Sequence, residues 1–349
     1  MTQRTENNFD FIRLVAAALV IITHSLALTG RSENDWLSRI TTGTLQFSHL
    51  GVAIFFVISG YLITQSAINS KTWKGYLWRR ILRIFPGLIV VLMFSAFILG
   101  SIFSSLPLKD YLTNPKTYLH LASVSLYRLF LFLPGVFETN PNKAVNGSLW
   151  TLAYEFTLYI VVLLAWKVGL LRRGSILIVL FLLMYSIRLY LGEKYFIYNY
   201  SASWLLGLNI TYFFEWSFYF LTGMIFYYYK EKIPLKFSLL IVLIVTYILF
   251  AVIRHEYMLR ALNYILIPYM VFFLAFQKGK LNQIARNGDF SYGLYIYAFP
   301  IQQSIVAILG PQIPFELMLL LSIVCTFPFA YASWHLVEKK CLSLKRLID

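Results

Sequence analysis

An arginine and a histidine lie eleven residues apart in the first apolar stretch of the chain, FDFIRLVAAALVIITHSLALTG. A helix turns by about 100° per residue, so it brings His24 back to within about 20° of Arg13, about 16 Å further along the same face. Ionisable side chains inside a membrane span are costly and usually functional. The pair therefore predicts a fixed cation near one membrane surface and a titratable imidazole deep in the same helix.

A carboxylate enters the membrane from the opposite direction in the stretch NGSLWTLAYEFTLYIV. Glu155 lies about seven residues into this span, about 10 Å below the outer surface, and His24 lies at a similar depth on its own helix. A carboxylate that accepts a hydrogen bond from one imidazole nitrogen makes the other nitrogen a better base. We therefore expect Glu155 to assist His24. The alternatives are a structural buried carboxylate and a core histidine whose hydrogen bonds are all satisfied.

Three arginines precede a proline in the stretch TWKGYLWRRILRIFPG. A helix would point Arg79, Arg80 and Arg83 to one side. The guanidinium fork matches the oxygens of a phosphate group. The alternative is ordinary charge at the membrane edge, which sets topology or contacts lipid headgroups. Because Arg13 is predicted on the same side, we favour an anionic ligand that enters from the cytoplasm.

Two small residues fall near the middle of the second apolar stretch, GVAIFFVISGYLI. Ser59 and Gly60 would let helix backbones approach closely, or would leave room for a thin ligand such as an acyl-pantetheine arm. We take both residues as candidate cofactor contacts, with close helix packing as the alternative.

The composition indicates which elements position these residues. Of 349 residues, 59% are hydrophobic and 13% are charged, and apolar runs recur near the ~20 residues that cross a bilayer. We expect an all-α polytopic membrane protein with one domain over residues 1–349 and no extra soluble domain. About ten transmembrane helices are predicted, at 9–29, 47–68, 83–103, 149–166, 174–191, 211–229, 235–253, 257–277, 289–309 and 315–337. The stretch 118–137, interrupted by Arg128, is a candidate interfacial or re-entrant helix.

Basic residues outnumber acidic residues by 30 to 15. No soluble basic domain is predicted, so we expect no nucleic-acid partner and interpret the charges as a topology signal. With ten spans, nineteen basic residues fall on the side of the termini and ten in the opposite loops. This bias predicts that both termini are cytoplasmic. The two cysteines, Cys325 and Cys341, indicate neither a disulfide nor a metal site, and we expect no metal.

Several motifs together resemble one known family in their order and spacing. They are Arg13 with His24, FFVISGYL at 55–62, RILRIFP at 80–86, SLWTLAYE at 148–155, SYGLYIY at 291–297 and LVEK at 336–339. This combination resembles the membrane acyltransferase-3 family over essentially the whole chain. Two positions differ from the family pattern. Members often carry His shortly before Pro300, where this chain has Ala298 and Phe299, and Lys340 stands where a Pro is usual.

The resemblance implies a function and a set of site residues. Family members are mostly bacterial inner-membrane proteins that acylate hydroxyl groups of surface glycans, usually with acetyl-coenzyme A as the cytoplasmic donor. It also implies that His24 is the essential catalytic residue and that Arg13, Arg80 and Arg83 are functionally important. We therefore expect a multi-pass O-acetyltransferase of the bacterial inner membrane, in contact with membrane lipids. His24 would act as general base or acyl carrier toward a cell-surface or lipid-linked glycan at the extracytoplasmic side.

A proton-coupled transporter or flippase of a glycan or lipid precursor is the alternative function. Buried His, Glu and Arg residues also line ion pathways in such proteins. The sequence shows no inverted repeat of hydrophobic segments and no matched pair of broken helices, which disfavours this alternative. The acceptor sugar, the acyl chain and the oligomeric state have no readable signal in the sequence.

Overall fold

The computed structural model describes residues 7–198, 204–205, 207–278 and 288–348. The α-helices in these ranges are α1 (Phe9–Ala27), α2 (Trp36–Ile40), α3 (Phe47–Ile68), α4 (Trp73–Met93), α5 (Gly100–Phe103), α6 (Leu108–Thr113), α7 (Pro115–Leu119), α8 (Trp150–Lys167), α9 (Gly174–Tyr198), α10 (Ile210–Tyr229), α11 (Phe237–Val252), α12 (Glu256–Ala275), α13 (Ser291–Leu309), α14 (Phe315–Ala332) and α15 (Lys339–Ser343). Shorter 3-10 or π turns cover Phe94–Leu99, His120–Ser125, Gly147–Leu149, Leu170–Arg172, Ser333–Glu338 and Leu344–Leu347. Two short strands, β1 (Trp204–Leu205) and β2 (Leu208–Asn209), pair antiparallel.

Seven helical segments among the described residues are long and apolar enough to cross a membrane. They are Phe9–Ala27, Phe47–Ile68, Trp73–Phe103, Gly147–Lys167, Glu256–Ala275, Ser291–Leu309 and Phe315–Leu347. This finding confirms the predicted all-α, multi-pass class.

The other three predicted spans also form helices, namely α9, α10 and α11. The apolar parts of α9 and α11 are shorter, Gly174–Tyr190 and Phe237–Val252. The tyrosines of α10 lower its mean hydropathy, so it is not among the seven segments. Ten spans and cytoplasmic termini therefore remain predictions. Arg4, Lys280 and Arg286, which contribute to the charge bias, lie outside the described residues.

The candidate helix at 118–137 does not form as one helix. Only its first part is helical, as the end of α7 and the 3-10 turn His120–Ser125. Leu126 then has a φ of 69°, a conformation that a right-handed helix does not continue through. Further along, Val136 forms an isolated antiparallel bridge with Ser104. The segment is therefore a folded loop, and the prediction of a single interfacial or re-entrant helix was wrong.

The chain groups into two compact units. The first unit comprises Met1–Ala16, Trp36–Leu77 and Tyr154–Asn287, and the second comprises Ala17–Asp35, Trp78–Ala153 and Gly288–Asp349. The boundary between these groups of residues falls within α1, α4 and α8, whose residues are shared between the units.

Close packing of α3 against α10 forms the centre of the first unit. A Cβ atom added at Gly60 would lie 1.9 Å from the carbonyl oxygen of Phe220, and one added at Gly223 would lie 2.1 Å from that of Val57. Only residues without a side chain allow two helix backbones to approach this closely. The structure therefore shows close helix packing at Gly60, the alternative considered above. A cofactor contact at Gly60 remains a prediction.

The second unit is built around α13, which is buried along most of its length. Pro300 lies inside this helix and has no N–H to donate to the carbonyl oxygen of Ile296, one turn earlier. Asn146 Nδ2 donates to that carbonyl oxygen instead, at 2.8 Å. The hydroxyl of Tyr295 donates to the carbonyl oxygen of Ser148 at 2.6 Å. These two bonds hold the segment before α8 against α13.

The third predicted span begins earlier than residue 83. Its helical segment is 31 residues long, Trp73–Phe103, and contains the π turn Phe94–Leu99. The hydroxyl of Tyr111 on α6 donates to the carbonyl oxygen of Ala96 in this turn at 2.6 Å. Burial raises the pKa of Tyr111 to about 12, so the hydroxyl keeps its proton as a donor. A Cβ atom at Gly100 would lie 1.7 Å from this hydroxyl, which explains the small residue there.

We expect the substitution Gly60→Ala to destabilise the first unit. The added methyl group meets the backbone of α10, which cannot move aside without separating the helices, and over-packing of this kind costs about 1–3 kcal/mol. Thermal unfolding of the detergent-solubilised protein, followed by tryptophan fluorescence, should show a lower midpoint. Ile68→Ala, at the exposed end of the same helix, is the matched control. An unchanged midpoint for Gly60→Ala would contradict the close backbone contact.

Candidate active site

The first predicted pair lies on one unbroken helix, α1. The separation of about 16 Å between Arg13 and His24 along the helix axis follows from its regular rise. Arg13 belongs to the first unit, and its guanidinium pairs with the carboxylate of Asp10, one turn earlier. Sequence reasoning missed this partner, although the i, i+3 spacing on a helix would have identified it.

His24 lies in the second unit, where its ring packs against Phe299. The ring centroids are 5.2 Å apart and the planes are at 78° to each other, an edge-to-face contact. The imidazole is partly exposed, but its Nδ1 is buried and has no hydrogen-bond partner among the described residues. Buried polar atoms of purely structural side chains are usually paired. The described surroundings therefore do not match the alternative of a fully satisfied core histidine.

Phe299 also marks a place where the chain departs from the family pattern. Family members often have a histidine shortly before the proline, whereas this chain has Ala298 and Phe299 before Pro300. The aromatic ring of Phe299, directly before Pro300, is the one that contacts His24. A Cβ atom at Gly147 would lie 2.7 Å from the Phe299 ring, so the segment before α8 also packs against this ring.

Glu155 lies in the first unit and accepts two hydrogen bonds on the same oxygen. Ser59 Oγ donates to Glu155 Oε1 at 3.0 Å, and the hydroxyl of Tyr159 donates to it as well. The hydroxyl oxygens of Ser59 and Tyr159 are 3.2 Å apart. Tyr76 in turn donates to the carbonyl oxygen of Tyr159 at 3.0 Å. The structure thus joins Ser59 and Glu155, which the sequence assigned to different roles.

Sequence reasoning missed Tyr159, although it follows Glu155 by one helical turn and this spacing could have revealed it. His24 and Glu155 belong to different units, so their pairing remains a prediction. The same holds for the grouping of Arg13 with the arginines of α4.

Arg83 lies in a cluster of ionisable side chains in the second unit. Its Nη2 contacts Asp289 Oδ2 at 2.6 Å, and its Nη1 contacts Glu338 Oε2 at 3.5 Å. The guanidinium carbon is 5.5 Å from the centre of the Tyr292 ring. Ser333 Oγ donates to Glu338 Oε1 at 2.8 Å, and the side chain of Glu338 is only 2% exposed. Buried carboxylates need a cation nearby. Arg83 on α4 therefore connects Asp289, just before α13, with Glu338 in the π turn Ser333–Glu338.

Arg79 and Arg80 precede Arg83 on α4 and are partly exposed. They lie four and three residues before it on this helix, and a shared anion site of the three side chains remains a prediction. Sequence reasoning did not identify Asp289 or Glu338 as partners of Arg83. Asp289 is 206 residues away in the chain, although Glu338 lies inside the closing motif LVEK.

The described residues contain no group of three or more His, Cys, Asp and Glu side chains that could hold a metal ion. The expectation of a metal-free reaction remains a prediction.

The chain is similar in sequence to a known protein family and to several known proteins. A family model described as an acyltransferase domain matches residues 6–335. The chain is 30% identical over 341 residues to the O-acetyl transferase of Shigella phage Sf6. The aligned residues cover 97% of this chain and 96% of that protein. It is 34% identical over 158 residues to nodulation protein 10 of Rhizobium leguminosarum bv. viciae, across 44% of this chain and 42% of that protein.

An uncharacterized protein of Haemophilus influenzae is 34% identical over 146 residues, which cover 39% of this chain and 57% of that protein. No solved structure matches the chain. The match to the acyltransferase model and the similarity to the phage protein both span nearly the full sequence. The chain therefore belongs to the acyltransferase-3 family of membrane enzymes.

Proposed function

We propose that this acyltransferase moves an acetyl group from cytoplasmic acetyl-coenzyme A to a hydroxyl of a cell-surface or lipid-linked glycan at the extracytoplasmic side. The full-length similarity to a phage O-acetyl transferase supports an acetyl group and an oxygen acceptor. The proposed location is the inner membrane of a bacterium, with ten spans, cytoplasmic termini and surrounding lipid.

One observation carries this proposal. His24 lies in an apolar helix with a partly exposed ring, and its Nδ1 makes no hydrogen bond within the described part of the chain. A titratable ring that serves no structural hydrogen bond at this nitrogen is suited to proton transfer, because imidazole is the side chain that most readily gains and loses a proton near neutral pH.

The reaction needs two proton transfers and one exchange of bonds at carbon. The acceptor oxygen attacks the thioester carbonyl carbon while His24 removes the hydroxyl proton. The carbon–sulfur bond then breaks, and the proton passes from the imidazolium to the departing thiolate, giving the acetyl ester and free coenzyme A. General-base catalysis of this kind contributes about 10²–10⁴-fold to a rate. In the covalent variant the imidazole first attacks the thioester carbon and displaces the thiolate, and the acceptor hydroxyl then takes the acetyl group from the imidazole while its proton passes to the thiolate.

We retain Glu155 as the carboxylate that assists His24. Its position is supported by hydrogen bonds from two hydroxyl groups, those of Ser59 and Tyr159, within its own unit. Ser59 would then act through Glu155. We also propose that Ser59 and Gly60 contact the pantetheine arm of the acyl donor.

In the proposed donor site, Arg79, Arg80 and Arg13 bind the phosphates of coenzyme A. One guanidinium group can donate two parallel hydrogen bonds to the oxygens of a phosphate. About 16 Å of helix separates Arg13 from His24, which is comparable to the length of an extended pantetheine arm. Arg83 contributes differently, because two nearly fully buried carboxylates, Asp289 and Glu338, match its charge, whereas Arg13 pairs with the single, 27% exposed carboxylate of Asp10. We assign it mainly to holding in place the helix that carries Arg79 and Arg80.

We expect purified wild-type protein to consume acetyl-coenzyme A when suitable surface glycans are supplied, and His24→Ala to lower the rate at least about 10²-fold. Release of the free thiol measures turnover, and mass spectrometry of the glycan locates the acetyl group. His255→Ala, at an exposed position, is the control and should keep the wild-type rate. Full activity of His24→Ala would refute the assigned base, and a wild type that consumes no donor would refute the proposed function.

The arginines of α4 should separate into two classes. We expect Arg79→Ala and Arg80→Ala to raise the KM for acetyl-coenzyme A about tenfold or more, with a smaller loss of thermal stability than Arg83→Ala. Arg83→Ala leaves two buried carboxylates without their cation and should lower the free energy of unfolding by about 3 kcal/mol.

Lys74→Ala, at an exposed position on the same helix, is the control for loss of a positive charge. Kinetics and thermal unfolding are measured on the same preparations. A stable Arg83→Ala protein with a raised KM would instead make Arg83 a phosphate ligand.

A further inference from the structure

A glutamine of α13 contacts α1 beside His24. Gln302 is fully buried, and its Nε2 donates to the carbonyl oxygen of Ile21 at 3.0 Å and to Ser25 Oγ at 2.8 Å. Ile21 lies one turn before His24 and Ser25 directly follows it. The amide of Gln302 is therefore held against the part of α1 that carries the imidazole, and all of these residues belong to the second unit.

The orientation of this amide follows from its partners. The carbonyl oxygen of Ile21 can only accept a hydrogen bond, so the nitrogen of the amide must face it. The Oε1 atom of Gln302 consequently points elsewhere. It is buried and has no hydrogen-bond partner among the residues that the structure describes. Buried amide oxygens are seldom left unpaired, so this atom calls for an explanation.

A second buried atom without a partner in the described residues lies on α1. Phe299 and Gln302 are three residues apart and share one face of α13. Phe299 contacts the ring of His24, while Gln302 contacts the residues on either side of it. The Nδ1 atom of His24 is also buried without a partner in the described part of the chain. The contact between α1 and α13 therefore contains a potential donor, His24 Nδ1, and an atom that can only accept, Gln302 Oε1.

We propose that Gln302 is a positioning residue for His24, whose Nδ1–H donates to Gln302 Oε1 in the catalytically active state. This inference rests on the proposed function of His24, and it leaves Glu155 to assist the imidazolium through its negative charge, because Gln302 accepts the Nδ1–H hydrogen bond. An amide oxygen only accepts, so the bond selects the tautomer that carries its hydrogen on Nδ1 and leaves Nε2 to remove the acceptor hydroxyl proton. When Nε2 gains that proton, the Nδ1–H bond becomes charge-assisted and stronger. No proton moves to Gln302.

The adjacent residue provides a matched control. Gln303 is equally buried, but its Nε2 donates to the carbonyl oxygens of Asn142 and Ala144 at 2.7 and 2.5 Å. Its Oε1 accepts a hydrogen bond from Asn140 Nδ2 at 2.9 Å. All of its polar atoms thus have partners in the segment before α8. Substitution of Gln303 removes more hydrogen bonds than substitution of Gln302, without altering the contact with α1.

The test compares Gln302→Met with Gln303→Met in detergent-purified protein labelled with ¹⁵N-histidine. The His24 signals are assigned with His24→Ala, and their nitrogen shifts report the tautomer without any turnover. We expect a predominant Nδ1–H tautomer in wild type and in Gln303→Met, and a mixture of tautomers in Gln302→Met. We also expect the kcat of Gln302→Met to fall at least tenfold with an unchanged KM for acetyl-coenzyme A, whereas Gln303→Met should mainly lose thermal stability.

Ser25→Ala serves as the second variant if Gln302→Met does not fold, because it removes one anchor of the Gln302 amide with little change in core volume. It should shift the tautomer balance in the same direction by a smaller amount. An unchanged His24 tautomer in the folded variants would overturn the inference even if wild type is an active acetyltransferase. Absence of acetyl transfer by wild type would instead refute the proposed function, since the tautomer readout requires no reaction.

Discussion

Polar groups inside a bilayer must find their partners within the protein, because lipid tails offer none. This constraint organises the second unit around α13. Pro300 leaves the carbonyl oxygen of Ile296 without its helical donor, and the side chain of Asn146 supplies one. Gln303 connects the same helix to the segment that precedes α8. The irregular segment before α8 is thus held in place by hydrogen bonds to a helix that contains a proline.

The same constraint separates structural charges from those available for chemistry. Arg83 balances Asp289 and Glu338, so its positive charge is largely committed to holding the second unit together. Glu155 is held by the hydroxyl groups of Ser59 and Tyr159. The Nδ1 atom of His24 differs from these groups because it is buried and unpaired in the described residues. In a membrane enzyme, such an atom indicates where the protein accepts a cost in stability for the sake of reactivity.

Helix contacts in the described residues are made by two different means. In the first unit, glycines at positions 60 and 223 bring the backbones of α3 and α10 together by removing side chains. In the second unit, side-chain amides and hydroxyls connect α13 to α1 and to the segment before α8. Close backbone packing makes a rigid contact, whereas polar contacts also place donors and acceptors. The proposed base lies beside polar contacts of this second kind.

The sequence by itself determined the helical class, most helix positions and the placing of Arg13 and His24 on one helix, because hydropathy and helical spacing are local properties. It did not reveal the partners of Arg83, the bond from Ser59 to Glu155 or the contact between Gln302 and α1. The Arg83–Asp289 pair spans 206 residues, the Ser59–Glu155 bond 96 residues, and the Gln302–Ser25 bond 277 residues. Only the tertiary structure decides such contacts, since they depend on which helices pack together and on how each is rotated about its axis.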